Sequence, residues 1–169
     1  MVFAALIAFA AFAADKESPR PAPAMKSYTN KAWRWSISYP AGWTLEASDP
    51  ALVRLRSEPE SALCSINSGP VDRFNTVDEF TDFMLANDEK FFKEQKQTFN
   101  VVSRKRIKLA SGIAANDLVA EMGPGGRSRR VHVLADGRGF ALDCETYVKN
   151  WSRLEPAYQR VIASFNVSK

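Results

Sequence analysis

Histidine is the scarcest reactive residue in this sequence, because the 169-residue chain contains only His132. A metal site built from several imidazoles is therefore excluded, and one imidazole is left as a potential general base. The sequence also lacks a G-x-S-x-G nucleophile elbow and a helical H-E-x-x-H motif. The glycine-rich segment Gly123-Pro124-Gly125-Gly126 lacks the G-K-[ST] ending of a phosphate-binding loop and is more typical of a hairpin turn. We accordingly expect no metal, no cofactor and no enzymatic activity.

The only long apolar run is the uncharged segment from Met1 to Ala14. As a helix it would extend about 21 Å, short of the roughly 30 Å hydrocarbon core of a bilayer. The small residues around Ala11-Phe12-Ala13 resemble a signal-peptidase site, although a positively charged leading segment is missing. We interpret residues 1–13 as a cleaved export signal, which predicts a periplasmic or secreted protein without a membrane span. An uncleaved or peripheral anchor is the alternative.

The residues after this run divide into a linker and one domain. Residues 14–27 include the charged, proline-rich segment KESPRPAPAMK and are predicted to form a flexible linker. Residues 28–169 are enough for a single domain with a substantial core. The formal net charge of +4 is compatible with an acidic partner or an anionic surface.

Hydrophobic periodicity predicts an α+β domain. Apolar and polar residues alternate over 33–39, and further strands are expected at 52–57, 62–67, 100–109, 113–122, 128–135 and 139–146. Thr76 and Glu79 form a capping box that opens a helix over 77–94. A second amphipathic helix follows near the C-terminus, with Pro156 expected in its first turn. The pattern predicts an antiparallel β-sheet sandwiched by amphipathic helices.

The segment Trp35-Ser36-Ile37-Ser38-Tyr39-Pro40-Ala41-Gly42-Trp43 resembles the opening hairpin of the PsbP/Mog superfamily, and the ending Ile162-Ala163-Ser164-Phe165 is also similar. This superfamily includes PsbP-like proteins and bacterial envelope proteins of the DcrB type. The resemblance implies an α/β/α sandwich and a non-enzymatic binding or assembly role. No partner-binding residue of the family can be matched to this chain.

Cys64 and Cys144 both lie in predicted strands. In an exported protein they are predicted to form a disulfide, which would contribute roughly 4 to 5 kcal/mol in the chain-entropy model. Two buried free thiols are the alternative.

The polar face around His132 is predicted from strand register. A turn at Asp136 to Gly139 that pairs Ala135 with Phe140 would place His132 opposite Asp143 and Arg130 opposite Glu145. Asp117 could join this face, whereas Val131, Val133, Phe140, Leu142 and Cys144 would share the buried face. Three interpretations follow, namely an oriented general base lacking an evident nucleophile, a ligand-binding face, or ordinary cross-strand ion pairs.

Two basic clusters are the other candidate binding residues. They comprise Arg104, Arg106 and Lys108 in one strand and Arg127, Arg129 and Arg130 in another. Such charges could contact an envelope protein or an anionic surface, or could simply protect a solvated sheet edge against aggregation. No nucleic-acid motif is present, so nucleic acid is not an expected partner.

These observations favour an exported, non-enzymatic binding or assembly module of the cell envelope, contacting another protein or an anionic surface. A small-ligand or lipid-binding protein, with a pocket lined by residues such as Trp35 and Phe83, is the alternative. A hydrolase that uses His132 and Asp143 is a third hypothesis. The sequence does not indicate an oligomeric state.

Overall fold

The computed structural model describes residues 23–168. Two helices and ten strands follow in the order β1 (Met25–Asn30), β2 (Trp35–Pro40), β3 (Thr44–Asp49), β4 (Leu52–Ser57), β5 (Ala62–Pro70), α1 (Val77–Glu94), β6 (Phe99–Lys108), β7 (Ala114–Met122), β8 (Gly126–Ala135), β9 (Arg138–Tyr147), α2 (Val148–Ser164) and β10 (Asn166–Val167).

The predicted export signal lies outside the described residues, as does most of the predicted linker. The last linker residues are described, and they belong to strand β1 because Met25 pairs with Pro40 across an antiparallel ladder. Regular structure therefore begins three residues before the expected start at Tyr28.

The strands form two antiparallel sheets. The large sheet has the order β3-β4-β5-β9-β8-β7-β6, and the small sheet has the order β1-β2-β10. One face of the large sheet packs against α2 and the small sheet, and α1 covers part of the other face. The result is the predicted antiparallel sheet between helices.

The main core lies on the α2 side of the large sheet. The apolar positions predicted to share a buried face, Val131, Val133, Phe140, Leu142 and Cys144, are all fully buried there. Trp35 belongs to the same core, since it packs against Phe165 and donates its indole N–H to the hydroxyl of Ser68. Trp35 therefore cannot line a pocket with Phe83, which belongs to α1 and contacts Phe74.

Helix α1 spans the residues that the sequence predicts. Its capping box is formed, because the Thr76 hydroxyl accepts from the Glu79 amide and the Glu79 carboxylate accepts from the Thr76 amide. These two bonds satisfy backbone donors that a helix start would otherwise leave unpaired.

Helix α2 begins earlier than predicted. Pro156 is its ninth residue rather than a first-turn residue. Proline removes one backbone hydrogen bond, which leaves the carbonyl of Ser152 without its helical donor. Both Pro156 and Ser152 are exposed, so water can compensate for the lost bond. Burial of Trp151, Leu154, Tyr158, Val161 and Ile162 on the opposite side stabilises the helix through this interruption.

The β8–β9 register differs from the prediction by two residues. Asp136 and Gly137 alone form the turn, both with positive φ as in type I′ hairpins, and Ala135 pairs with Arg138. A slip of two residues leaves each side chain on its predicted face but changes its partner. Arg130 consequently lies opposite Asp143, and His132 lies opposite Ala141.

The disulfide between Cys64 and Cys144 is formed, as predicted. It joins directly opposite residues of β5 and β9, the two strands at which the halves of the large sheet meet. The two cysteines are separated by 80 positions in the sequence, so the bond closes a long loop.

Candidate functional site

The most densely connected polar group on the α1 side of the large sheet is the guanidinium of Arg130. Its Nε lies 2.9 Å from the Ser128 hydroxyl and 3.2 Å from a carboxylate oxygen of Asp143. Its Nη1 binds Asp88 of helix α1, and its Nη2 lies 3.1 Å from the sulfur of Met122. One nearly buried cation thus joins the helix to the sheet through two carboxylates.

A single guanidinium cannot fully compensate two partly buried carboxylates. Burial raises the pKa of Asp143 to about 7, although the nearby Arg130 charge opposes the shift. Burial also raises the pKa of Asp88, again against the effect of Arg130. The arrangement resembles a structural clamp, because Arg130 contacts both carboxylates and so joins helix α1 to the sheet.

His132 is 2 % exposed and is not hydrogen-bonded to Asp143. Its Nδ1 has no hydrogen-bond partner within residues 23–168, and its ring lies 5.9 Å from the ring of Phe80. Burial, with smaller contributions from the charges of Arg130 and Arg104, lowers the pKa of His132 to about 3. The geometry therefore gives no support to the His132–Asp143 general base, and His132 behaves as a neutral core residue.

Most of the basic residues predicted to form a docking surface are bound to acidic side chains of the same chain. Arg104 contacts Asp78 and Asp82, and Arg106 lies 3.0 Å from Asp78. These pairs join β6 to helix α1, while Lys108 is exposed at the end of β6.

The second basic cluster is split between the two faces of the sheet. Arg129 forms two bonds to Asp117, at 2.9 and 2.7 Å, on the α2 side of the sheet. Asp117 is therefore not on the His132 face, because it pairs with Val131 in the ladder. Arg127 lies over the ring of Trp151 and 4.0 Å from Glu121.

A surface groove along helix α2, which we call the α2 groove, is the feature that the sequence did not reveal. It has a volume of about 1000 Å³. One wall is a stripe of helix α2, formed by Arg153, Pro156, Ala157, Arg160 and Ala163 at three- and four-residue spacing. The other wall comes from the β2–β3 turn and the segment after β4, and it includes Pro40, Gly42, Trp43 and Glu60.

The polar groups of the α2 groove are partly paired. Glu60 accepts from the Trp43 indole N–H at 3.1 Å and from Arg153 at 3.1 Å. Arg160 differs, since its buried Nε has no hydrogen-bond partner among the described residues. The α2 groove therefore combines a mainly apolar lining with one arginine that forms no ion pair or hydrogen bond with the described residues.

Sequence reasoning missed this groove because its walls come from segments that lie far apart in the chain. The available signal was the exposed stripe of α2, in which small residues alternate with arginines opposite the buried face. That signal identifies one wall only, since the position of Trp43 depends on the tertiary fold.

Both helices described above lie within residues 23–168. No helix among them is long and apolar enough to cross a membrane. No group of three or more histidine, cysteine, aspartate or glutamate side chains in this part of the chain is arranged to hold a metal ion.

Comparison of the structure with solved structures identifies the architecture. The solution structure of cyanobacterial PsbP (CyanoP) from Synechocystis sp. PCC 6803 matches with a TM-score of 0.69 and 14 % identity, over 89 % of this chain and 96 % of that one. The fold is PsbP-like. A protein of unknown function from Pseudomonas aeruginosa matches with a TM-score of 0.56 and 19 % identity, over 86 % of this chain and 97 % of that chain.

Sequence comparisons give no further assignment. No family model matches the sequence, and no curated protein is significantly similar to it. The resemblance to the PsbP/Mog superfamily is thus confirmed at the level of the fold, which by itself does not specify a function.

Proposed function

We propose that this PsbP-like chain is an exported, non-enzymatic binding module of the cell envelope that holds a segment of another protein in the α2 groove. The observation that carries the proposal is the convergence of apolar surface and a charged donor in one groove. Recognition sites typically combine a mainly apolar lining with a few placed polar groups.

The distribution of charge favours a protein partner over an anionic surface. Arg104, Arg106, Arg129 and Arg130 each contact at least one carboxylate of the same chain. These pairs reduce the positive field that would attract a phospholipid headgroup or an acidic polymer. The α2 groove instead offers shape and apolar area.

Two observations support the exported, non-enzymatic part of the proposal. The Cys64–Cys144 disulfide is typical of proteins that fold in an oxidising compartment. The lining of the α2 groove includes Ser57 and Glu60 but no histidine or cysteine, and the Glu60 carboxylate is already bound by Trp43 and Arg153.

Site-specific photo-crosslinking in host cells tests the proposal with the full-length chain. A photoreactive amino acid replaces Ala157 in the groove, and in a control chain it replaces Asp72, an exposed residue between β5 and α1. We expect a reproducible protein adduct from position 157 that position 72 does not give.

Two glycine variants provide a matched control for occupancy of the groove. A Cβ at Gly42 or at Gly69 would meet no atom within 4 Å, and neither residue has a positive φ, so both tolerate a side chain. Gly42 lines the groove and Gly69 does not. Gly42→Leu should therefore abolish the adduct, whereas Gly69→Leu should retain it. An adduct that survives Gly42→Leu, or no adduct at all, would contradict the proposal.

A further inference from the structure

We infer that the protein segment bound in the α2 groove carries a carboxylate, and that the guanidinium of Arg160 binds it. This inference rests on the proposed function and specifies the chemistry of the partner. It identifies Arg160 as the specificity-determining residue of the α2 groove.

The charge balance of the groove gives the first argument. Its charged lining residues are Glu60, Arg153 and Arg160. Arg153 and Glu60 neutralise each other, because Nη1 of Arg153 lies 3.1 Å from a Glu60 carboxylate oxygen and Nη2 donates to the Glu60 carbonyl. The positive charge of Arg160 is left without a counterpart among the described residues, so an anionic ligand would complement the groove.

The hydrogen-bonding state of Arg160 gives the second argument. Its Nε–H is buried from solvent yet has no acceptor among residues 23–168. The Nε–H itself is too buried for a ligand to reach, so a ligand in the groove would be held by the terminal Nη1 and Nη2 groups, which form no hydrogen bond or ion pair with these residues. A guanidinium presents adjacent N–H groups whose spacing matches the two oxygens of a carboxylate.

The surroundings of Arg160 favour an extended peptide as the carrier of this carboxylate. Ala157 and Ala163 lie one turn before and one turn after Arg160 on the groove wall, so a peptide backbone can approach the helix closely. Pro156 adds exposed apolar surface to the same wall, whereas Pro40 and Trp43 of the opposite wall are themselves buried. The groove is open to solvent, whereas a lipid acyl chain is better matched by an enclosed cavity.

The test uses the photo-crosslinking chain with the reactive residue at position 157 and varies only Arg160. Arg160→Gln removes the positive charge and leaves a polar side chain. Arg160→Lys keeps the positive charge but removes the paired N–H donors of the guanidinium. Lys149→Gln is the control, because it removes an exposed positive charge from the same helix outside the groove. Thermal denaturation of each purified variant confirms that it is folded.

We expect Arg160→Gln to reduce the adduct about fivefold, the factor for an ion pair at the upper end of the exposed range. Arg160→Lys should give an intermediate yield, and Lys149→Gln should leave the yield unchanged. Mass spectrometry of the adduct should identify a peptide with an aspartate, a glutamate or a C-terminal carboxylate at the crosslinked segment.

The outcomes separate the two proposals. An adduct that Gly42→Leu abolishes and Arg160→Gln leaves unchanged would overturn the carboxylate inference while the groove remained a protein-binding site. A crosslinked segment without an acidic group, or a crosslinked lipid, would also overturn it. If position 157 gives no adduct, the proposed function fails, and this inference fails with it.

Discussion

Replacement of His132 by leucine should change how the stability of the protein depends on pH. The imidazole is buried against Phe80, and its pKa falls from 6.5 to about 3 because burial disfavours the charged form. A histidine whose folded pKa is depressed stabilises the native state above its unfolded pKa, and this contribution is lost progressively as the pH falls from the unfolded pKa towards the folded one. Leucine has a similar volume and does not titrate.

The magnitude follows from the two pKa values. Between pH 7 and pH 4.5 the unfolded imidazole becomes protonated while the folded imidazole stays neutral, so His132 should reduce the free energy of unfolding by about 2 to 3 kcal/mol over this range. His132→Leu should remove this loss. At pH 7 the variant should be close to the wild type in stability, because it also removes the unpartnered Nδ1.

Urea denaturation of both proteins at pH 7 and pH 4.5 measures this difference. The relevant quantity is the change in unfolding free energy between the two pH values, compared between wild type and variant, so the titrations of all other groups cancel. Equal changes in the two proteins would show that His132 titrates alike when folded and unfolded, and would refute the argument from burial.

Three further predictions concern single interactions. Burial raises the pKa of folded Asp143, so the wild type should lose stability as the pH rises from about 4 towards 7, and Asp143→Asn should remove this loss. The same urea denaturation series measures the effect, and an unchanged dependence of stability on pH in the variant would contradict the prediction. The double variant Cys64→Ser, Cys144→Ser should lose about 4.5 kcal/mol of unfolding free energy in the chain-entropy model, and a loss below about 1 kcal/mol in urea would count against that account. Thr76→Ala should cost about 1 kcal/mol by removing the cap of helix α1, and equal urea midpoints would exclude this contribution.

The elements that local patterns define were predictable from the sequence. The bounds of α1 follow from its capping box and its apolar spacing, and those of β4 from strand alternation. Strands β1 and β10 were missed because their residues show no periodicity of their own. Both exist only through pairing with β2, which local sequence does not encode.

The candidate site was less predictable for two reasons. The type I′ turn at Asp136-Gly137 is two residues shorter than the expected loop. Because of this difference, Asp143 lies opposite Arg130 and not opposite His132. A register shift of two residues leaves every side chain on the same face of the sheet. The sequence therefore predicted correctly which residues of β8 and β9 are buried together, but not which residues pair across the two strands. The α2 groove depends on tertiary packing, and only its helical wall has a signature in the sequence.

The small sheet has a consequence for the order of folding. Strand β2 takes one neighbour from the adjacent strand β1 and the other from β10, where Asn166 pairs with Ser36 across 130 residues. Contacts between such distant positions form late, because a long loop must close before they can contribute. Phe165, which precedes β10, packs against Trp35 within the same core. A nascent chain from which β10 has not yet emerged therefore has an open edge on β2, and the core around Trp35 stays incomplete until Phe165 and β10 are in place.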